Sequence, residues 1–280
     1  MGPDSGEGWS GMSAQHVVSV SVRDSAAMLD ATHGPAVGDP YYASPVERSF
    51  LSETESEPGR LRIAMAPAPF TDVDLDPECA AAASEAARLC EELGHEVVED
   101  QPPIDVDLLR KSTGAIIGAQ TYCVVSQRAA ALGRELKQQD VEPITWNLVQ
   151  MGANASGADY VEAVRGIHTL GRSMGDFFER YDVLLTPTMA QPPVPIGILD
   201  MTSTDTIGYL KALLSFTTYT QIFNATGQPA MSVPLAQSKS GLPIGIQFAA
   251  SMGDEGTLIR LAAQLERAHP WRDRLPKLEV

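Results

Sequence analysis

The chain has 280 residues, enough for one large α/β domain or two smaller ones, and its 44% hydrophobic and 20% charged residues are ordinary for a globular protein. Asp and Glu total 36 against 20 for Lys and Arg, and the net charge of -16 argues against nucleic acid or an anionic membrane as a partner. No stretch approaches the roughly 20 consecutive apolar residues of a membrane-spanning helix, so no membrane partner is expected.

The cysteines indicate a reducing compartment. Cys79, Cys90 and Cys123 lie in apolar helical contexts and lack the CxxC spacing of a metal or redox site. An odd number of cysteines without that spacing predicts buried free thiols and a cytoplasmic protein. The glycine-rich, acidic N-terminus is unlike a signal peptide and is more typical of the middle of a loop than of the start of a domain.

The first predicted helix begins after Ser21, whose hydroxyl is suited to capping it, and runs to about Ala31. Asp24 lies near its N-terminus, where a negative charge stabilises the helix dipole. Residues from about 32 to 59 lack periodicity and predict a long surface loop with a solvated acidic patch.

A strand, a helix and a second strand follow. Residues 60–66 (RLRIAMA) predict a strand, and Asp76-Pro77 supplies an N-cap and a first-turn proline for a helix that ends at Gly94. Residues 95–99 (HEVVE) predict the next strand. This order makes a βαβ unit with parallel strands, in which His95 is expected to be structural or solvated rather than catalytic.

Two long helical patterns come next, at about 105–137 and 160–178. The stretch 182–188 (DVLLTPT) is apolar without alternation, which predicts a central strand buried on both faces. The proline-rich loop MAQPPVPIG follows it, and loops at strand ends line the ligand crevice of open α/β sheets.

The last third predicts one helix from Thr206 into the sequence before Gly227, and Pro229 prevents its continuation. Two apolar strands, 230–235 and 245–250, and a final helix after Asp254 complete the chain. The predicted fold class is α/β, with a mixed, largely parallel central sheet covered by helices. Residues 1–280 are expected to form a single unit.

The usual catalytic and cofactor motifs are missing. The sequence has no Walker loop, GxSxG, HExxH or strand-linked GxGxxG, and its five histidines lack metal-ligand spacing. Lys239, flanked by Ser238 and Ser240, is the nearest approach to Ser–Lys chemistry, but a solvated loop lysine does not easily lose its charge. The remaining candidates are Lys111, Lys137, Lys211 and Lys277. No catalytic residue, metal ligand or cofactor is predicted.

Four segments in register resemble the amidase signature family. They are GWSGMSAQHVVSVSVRDSAAMLDA, LRIAMA with DPECAAAASEAARLCEELGHEVVE, DVLLTPTMAQPPVPIG, and the stretch from FNATGQPAMSVPL to RAHPW. The Gly2–Ser10 start of the chain and the GPAVGDPYY loop are most similar to the branch with 6-aminohexanoate cyclic-dimer hydrolases. The resemblance covers most of the chain in the family's order.

The resemblance implies hydrolysis of carbon–nitrogen amide bonds by a Ser–cis-Ser–Lys triad. No position in this chain matches that lysine, the serine- and glycine-rich segment with both serines, or the oxyanion loop. The chain is therefore expected to be a truncated C-terminal portion of an amidase domain, inactive alone because acyl transfer lacks its nucleophile and oxyanion donors.

The resemblance also implies pocket residues. Phe216, Thr220 and Asn224 are expected to line the acyl pocket, with Gln120 and Tyr122 as weaker substrate-binding candidates; the alternative is that these side chains only pack helices. Arg23 and Asp24 either tie the first helix to the catalytic loop or form a plain surface pair.

Three hypotheses stay open. The first is an amidase whose catalytic part lies on a preceding segment or a partner chain, with a small amide as substrate. The second is a non-catalytic remnant or binding protein that keeps the scaffold. The third is an enzyme with an unrecognised site. In the first two, an uncovered sheet edge favours association, including a homo-oligomer.

Overall fold

The structure is a computed structural model, and it describes residues 6–274. Its helices are α1 Val22–Thr32, α2 Phe50–Glu53, α3 Pro77–Glu92, α4 Val106–Ala131, α5 Pro143–Asn154, α6 Gly157–Phe178, α7 Thr206–Phe216, α8 Gln221–Thr226 and α9 Glu255–Ala268. Its strands are β1 Arg62–Met65, β2 Glu96–Glu99, β3 Val183–Pro187, β4 Ala230–Gln237 and β5 Pro243–Ala250. Short 3-10 turns lie at Trp9–Gly11 and Gln138–Asp140.

The strands form one mixed sheet in the order β2-β1-β3-β5-β4, which confirms the predicted α/β class. β1 pairs in parallel with β2 and β3, whereas β5 pairs antiparallel with β3 and β4. Among the described strands, β5 therefore runs against the other four. The parallel β1–α3–β2 unit is confirmed with the predicted helix start, because the Asp76 side chain accepts a hydrogen bond from the Glu78 backbone N–H.

Helices cover both faces of the sheet and divide the core into two clusters. On one face, α1, α3 and α9 pack on side chains such as Ile63 and Phe248. On the other face, α4, α6 and α8 pack on Ala64, Leu184 and Ala249. Every residue of β3 is buried, as predicted from its lack of alternation.

Several features of the structure differ from what the sequence predicts. The single helix expected from Thr206 is two helices, because the chain leaves the helix at residues 217–220. There, Thr218 Oγ1 accepts a hydrogen bond from the Thr71 backbone N–H (3.1 Å), and Gln247 Nε2 donates to the Tyr219 carbonyl (3.5 Å). Helix α5 was not predicted. Cys123 was expected to be buried, but it is exposed on α4, while Cys79 and Cys90 are buried.

The predicted loop at 32–59 contains helix α2, and its acidic patch is not uniformly solvated. Phe50 and Glu53 are both buried, and Glu53 pairs with Arg260 of α9. Of the two roles expected for His95, structural or solvated, the structure shows the first, because the side chain is buried. Its Nδ1 accepts from the Leu61 backbone N–H at 3.1 Å, and its Nε2 lies 2.8 Å from Gln264 Oε1.

Candidate functional site: a groove at the end of the central strand

A row of polar side chains lies where the otherwise apolar strand β3 ends. Thr186 and Gln247 are opposite each other in the β3–β5 register, and Gln247 Nε2 donates to Thr186 Oγ1 at 3.0 Å. Further along, the Thr188 backbone N–H donates to the Gly245 carbonyl at 2.9 Å. The pairing thus extends one residue past β3 and brings the Thr188 side chain beside β4.

There, two hydroxyls meet: Thr188 Oγ1 and Ser232 Oγ are 2.6 Å apart, so one donates to the other. Gly245 lies between them, and a Cβ at that position would overlap Ser232 Oγ and come within 2.8 Å of Thr188 Oγ1. The absence of a side chain on Gly245 therefore makes the hydroxyl pair possible.

The hydroxyl pair lies in a groove of about 380 Å³. Its lining residues are Val18, Ser19, Cys79, Thr188, Met189, Gln191, Pro193, Phe216, Ser232, Pro234, Pro243, Ile244 and Gly245. The groove brings together two features that the sequence predicted to lie at a ligand site: the start of the proline-rich loop and the pocket residue Phe216. Burial raises the pKa of the Cys79 thiol to about 11, with smaller contributions from the Asp76 and Glu78 carboxylates. Cys79 is thus a neutral part of the groove wall near pH 7.

The other predicted pocket residues lie elsewhere. Asn224 Nδ2 donates to the Met12 carbonyl at 3.1 Å, and Gln120 Oε1 accepts from the Trp9 backbone N–H at 2.8 Å. These two side chains hold the turn at residues 9–12, where Trp9 and Ser10 have φ of 50° and 54°. In this structure they support that turn.

Thr220 and Tyr122 belong to neither arrangement. Thr220 is the residue before α8, partly buried, and its side chain makes no capping hydrogen bond. Tyr122 is 39% exposed on α4, and its Cβ faces Gly152 of α5. Arg23 and Asp24 are both exposed.

Asn224 also contributes to a second groove, of about 460 Å³, which contains a serine–histidine pair. His16 Nε2 and Ser25 Oγ are 2.8 Å apart in an exposed position. In a catalytic triad, an acidic group orients the imidazole through its other nitrogen. No such hydrogen bond to His16 Nδ1 is present within residues 6–274, so the pair lacks that orienting group.

The lysine candidates do not assemble a catalytic site either. Ser238 Oγ and Ser240 Oγ hydrogen-bond each other at 2.8 Å, and the Lys239 backbone N–H donates to Glu78 Oε2. Lys277 lies outside the described residues. Residues 6–274 contain no group of three His, Cys, Asp or Glu side chains able to hold a metal ion, and none of the helices in this range is long and apolar enough to cross a membrane.

The comparisons with known proteins decide the family. The family model described as Amidase matches residues 8–259. This chain belongs to the amidase signature family. It is 34% identical over 266 residues to a 6-aminohexanoate-cyclic-dimer hydrolase from Paenarthrobacter ureafaciens, covering 92% of this chain and 54% of that relative. A hydrolase of the same name from Pseudomonas sp. (strain NK87) is 35% identical over the same length.

Solved structures agree with this assignment to the amidase signature family. The structure of 6-aminohexanoate cyclic dimer hydrolase matches with a TM-score of 0.82 at 33% sequence identity, covering 92% of this chain and 55% of that chain. A bacterial aryl acylamidase of the family has the same fold, with a TM-score of 0.75. The chain spans about half the length of the curated relatives it matches. Both the family and the similarity to cyclic-dimer hydrolases were expected from the sequence.

The two residues of the hydroxyl pair and the glycine between them were not predicted as site residues from the sequence. Thr188, Ser232 and Gly245 belong to three different strand regions and meet only through the register of the sheet. The available hint was Gly245 itself, because an isolated glycine within an apolar strand indicates a close approach by another part of the structure.

Proposed function

We propose that this chain is the substrate-binding half of a hydrolase that cleaves the carbon–nitrogen bond of small amides. The family match over residues 8–259 carries the proposal. The relatives named as 6-aminohexanoate-cyclic-dimer hydrolases provide the model substrate, a small cyclic amide. The proposed pocket is the groove with Phe216; Thr220 is proposed to act at its α7–α8 end. Three further side chains are proposed to contact substrate only when the remainder of an amidase fold is present: Asn224, Gln120 and Tyr122.

We further propose that the nucleophile and its base come from polypeptide outside these 280 residues. Among the described side chains, no serine has a lysine within hydrogen-bonding distance, which Ser–Lys chemistry requires. The chain also corresponds to only 54% of the relative from Paenarthrobacter ureafaciens. We expect the nucleophile and its base to correspond to residues in the part of that relative that this chain does not match.

The β4 edge supports this arrangement. β4 (AMSVPLAQ) is one edge of the sheet as described and carries no charged residue, whereas the opposite edge, β2, has exposed Glu96 and Glu99. Charges discourage an edge strand from pairing with further chains. Pro234 and the register shift between Val233 and Ala236 limit strand pairing in the second half of β4. The uncharged first half, residues 230–233, is therefore the part of this edge suited to cover by more polypeptide, either the remainder of an amidase fold or a second copy in a homo-oligomer.

The test is a chimera. The unmatched portion of the Paenarthrobacter ureafaciens hydrolase is joined to this chain in one polypeptide, and hydrolysis of 6-aminohexanoate cyclic dimer is measured. The controls are this chain alone and the relative's portion alone, each also treated with a serine-reactive probe. We expect turnover and covalent labelling with the chimera and neither with this chain.

Two outcomes contradict the proposal. Turnover with labelling by the 280-residue chain alone shows that its catalytic centre is present. A chimera that folds cooperatively and is labelled, yet hydrolyses none of a panel of small amides, contradicts amide hydrolysis. The latter result favours the second candidate function, a non-catalytic binding protein, for which the absence of a Ser–Lys contact in residues 6–274 is the supporting observation.

A further inference from the structure

We infer that the Thr188–Ser232 hydroxyl pair is a recognition site for the amide group of an uncharged ligand, and that the groove around it selects neutral amides over charged ones. The inference rests on the proposed function for the choice of an amide as ligand. Its physical basis is the hydrogen-bonding capacity of the pair, the charge of the groove and the position of both in the fold.

The hydroxyl pair has hydrogen-bonding capacity left over. At 2.6 Å, one hydroxyl uses its proton on the other, so the pair keeps one O–H donor and several lone pairs for a ligand. Ser232 is exposed and Thr188 is partly exposed, so a ligand can reach both oxygens. A secondary amide presents one N–H and one C=O, which matches one acceptor and one donor.

The groove contains no counter-charge. None of its lining side chains, all within residues 6–274, is acidic or basic. An ionised ligand group loses hydration when it enters a groove, and without a counter-ion that loss is not offset. The chain's net charge of -16 adds repulsion for an anion, whereas its long-range attraction for a cation is largely screened at physiological salt and provides no counter-ion inside the groove. A neutral amide has neither cost.

The apolar part of the groove lining suits an amide with an aliphatic body. Phe216, Met189 and Pro193 provide apolar surface beside the hydroxyl pair. Thr188 comes directly after the last residue of the central strand β3, which is where open α/β sheets commonly bind ligands. Gly245 leaves the space that the pair and the ligand share.

The test uses three amides of similar length that differ in charge: N-butylacetamide, the anion 4-acetamidobutanoate and the cation N-acetylputrescine. Binding to the full chain is measured by NMR chemical-shift titration. We expect N-butylacetamide to bind at least about fivefold more tightly than either ion. Removing one hydroxyl by Ser232→Ala or Thr188→Val weakens its binding about fivefold, the effect of one typical hydrogen bond.

Two further variants sharpen the result. Gly245→Ala places a methyl group against the hydroxyl pair and is expected to weaken binding at least as much, with circular dichroism to verify the fold. Thr204→Val changes an exposed threonine outside the groove and leaves binding unchanged. Equal affinity for the neutral and charged amides, or unchanged binding in both hydroxyl variants, overturns the inference.

The outcome is independent of catalysis. If the chimera described above is inactive while this binding pattern holds, the hydrolase proposal fails and the recognition site stands. If the chimera is active but the hydroxyl variants change neither binding nor KM, the recognition site fails and the hydrolase proposal stands.

Discussion

Replacing Glu53 by glutamine tests whether burial gives the contact between α2 and α9 its stabilising effect. Glu53 Oε2 lies 2.6 Å from Arg260 Nη1 and 2.8 Å from Arg48 Nη2, and 9% of the Glu53 side chain is exposed. Glutamine keeps the shape and one acceptor oxygen but removes the charge. Arg260, whose side chain is 21% exposed, then has no counter-ion at this position.

The expected loss follows from the burial of the pair. Removing one partner of a fully buried pair costs about 3–5 kcal/mol. Arg260 keeps some contact with solvent and glutamine keeps one acceptor, so we expect a lower loss, about 2 kcal/mol. For a chain of this size that corresponds to roughly 4 °C in Tm. Urea and thermal unfolding followed by circular dichroism measure both quantities.

Glu57→Gln is the matched control. Glu57 Oε1 lies 2.8 Å from Arg267 Nη2, so it also pairs with an arginine of α9, but its side chain is 69% exposed. Exposed pairs contribute about 0–1 kcal/mol, and we expect a loss below about 0.5 kcal/mol. Equal losses in the two variants would refute the argument from burial. So would a double-mutant cycle of Glu53→Gln with Arg260→Met that shows no coupling energy.

Two further predictions concern packing and thiol reactivity. Gly152→Ala inserts a methyl group against the Gly118 backbone carbonyl where α5 crosses α4, and 2.7 Å from Tyr122 Cβ. It is expected to lower the free energy of unfolding by at least about 2 kcal/mol, because the α4 backbone has to shift. Gly175→Ala, on an exposed helical face with no neighbouring atom within 4 Å, raises the free energy of unfolding by about 0.5–1 kcal/mol, and urea unfolding that gives both variants the same sign contradicts the packing. A disulfide-exchange reagent at pH 8 is expected to modify exposed Cys123 rapidly and the buried Cys79 and Cys90 only on unfolding. The reason is that burial raises the pKa of Cys90 to about 12 and that of Cys79 to about 11. Rapid modification of all three cysteines in the native protein would be inconsistent with this. Because these folded-state pKa values are raised, the buried thiols favour folding fully below about pH 8.5, and that contribution is lost progressively as the pH rises toward 11–12.

The sequence was sufficient wherever structure depends on a residue and its immediate neighbours. Asp76 caps α3 as expected, since an N-cap needs only a short acceptor side chain two or three residues before the N–H it binds. Gly227 ends α8 with φ of 84°, a conformation that glycine adopts without a Cβ penalty, and Pro229 follows. The burial of β3 on both faces followed from its unbroken apolar composition.

The candidate site was only partly predictable. Phe216 was expected from the family resemblance and lies in the groove. Asn224 and Gln120 were expected from the same resemblance, but here their hydrogen bonds hold the turn at residues 9–12. Sequence patterns place a side chain on an element, but they do not say which distant backbone group it will bind.

Tertiary structure decided the features that depend on residues far apart in the chain. The sequence of residues 206–226 favours one helix, yet Thr218 bonds Thr71 across 147 positions and the helix is interrupted there. Glu53 belongs to an acidic run typical of a solvated loop, and only the packing of α2 on α9 buries it against Arg260. Local propensity differs between alternatives by about 1 kcal/mol per residue or less, so a long-range hydrogen bond or a buried ion pair is enough to override it. The amino-acid sequence by itself determined the family, the strands of the sheet and most element boundaries. The tertiary structure decided the strand order and which side chains meet in the groove.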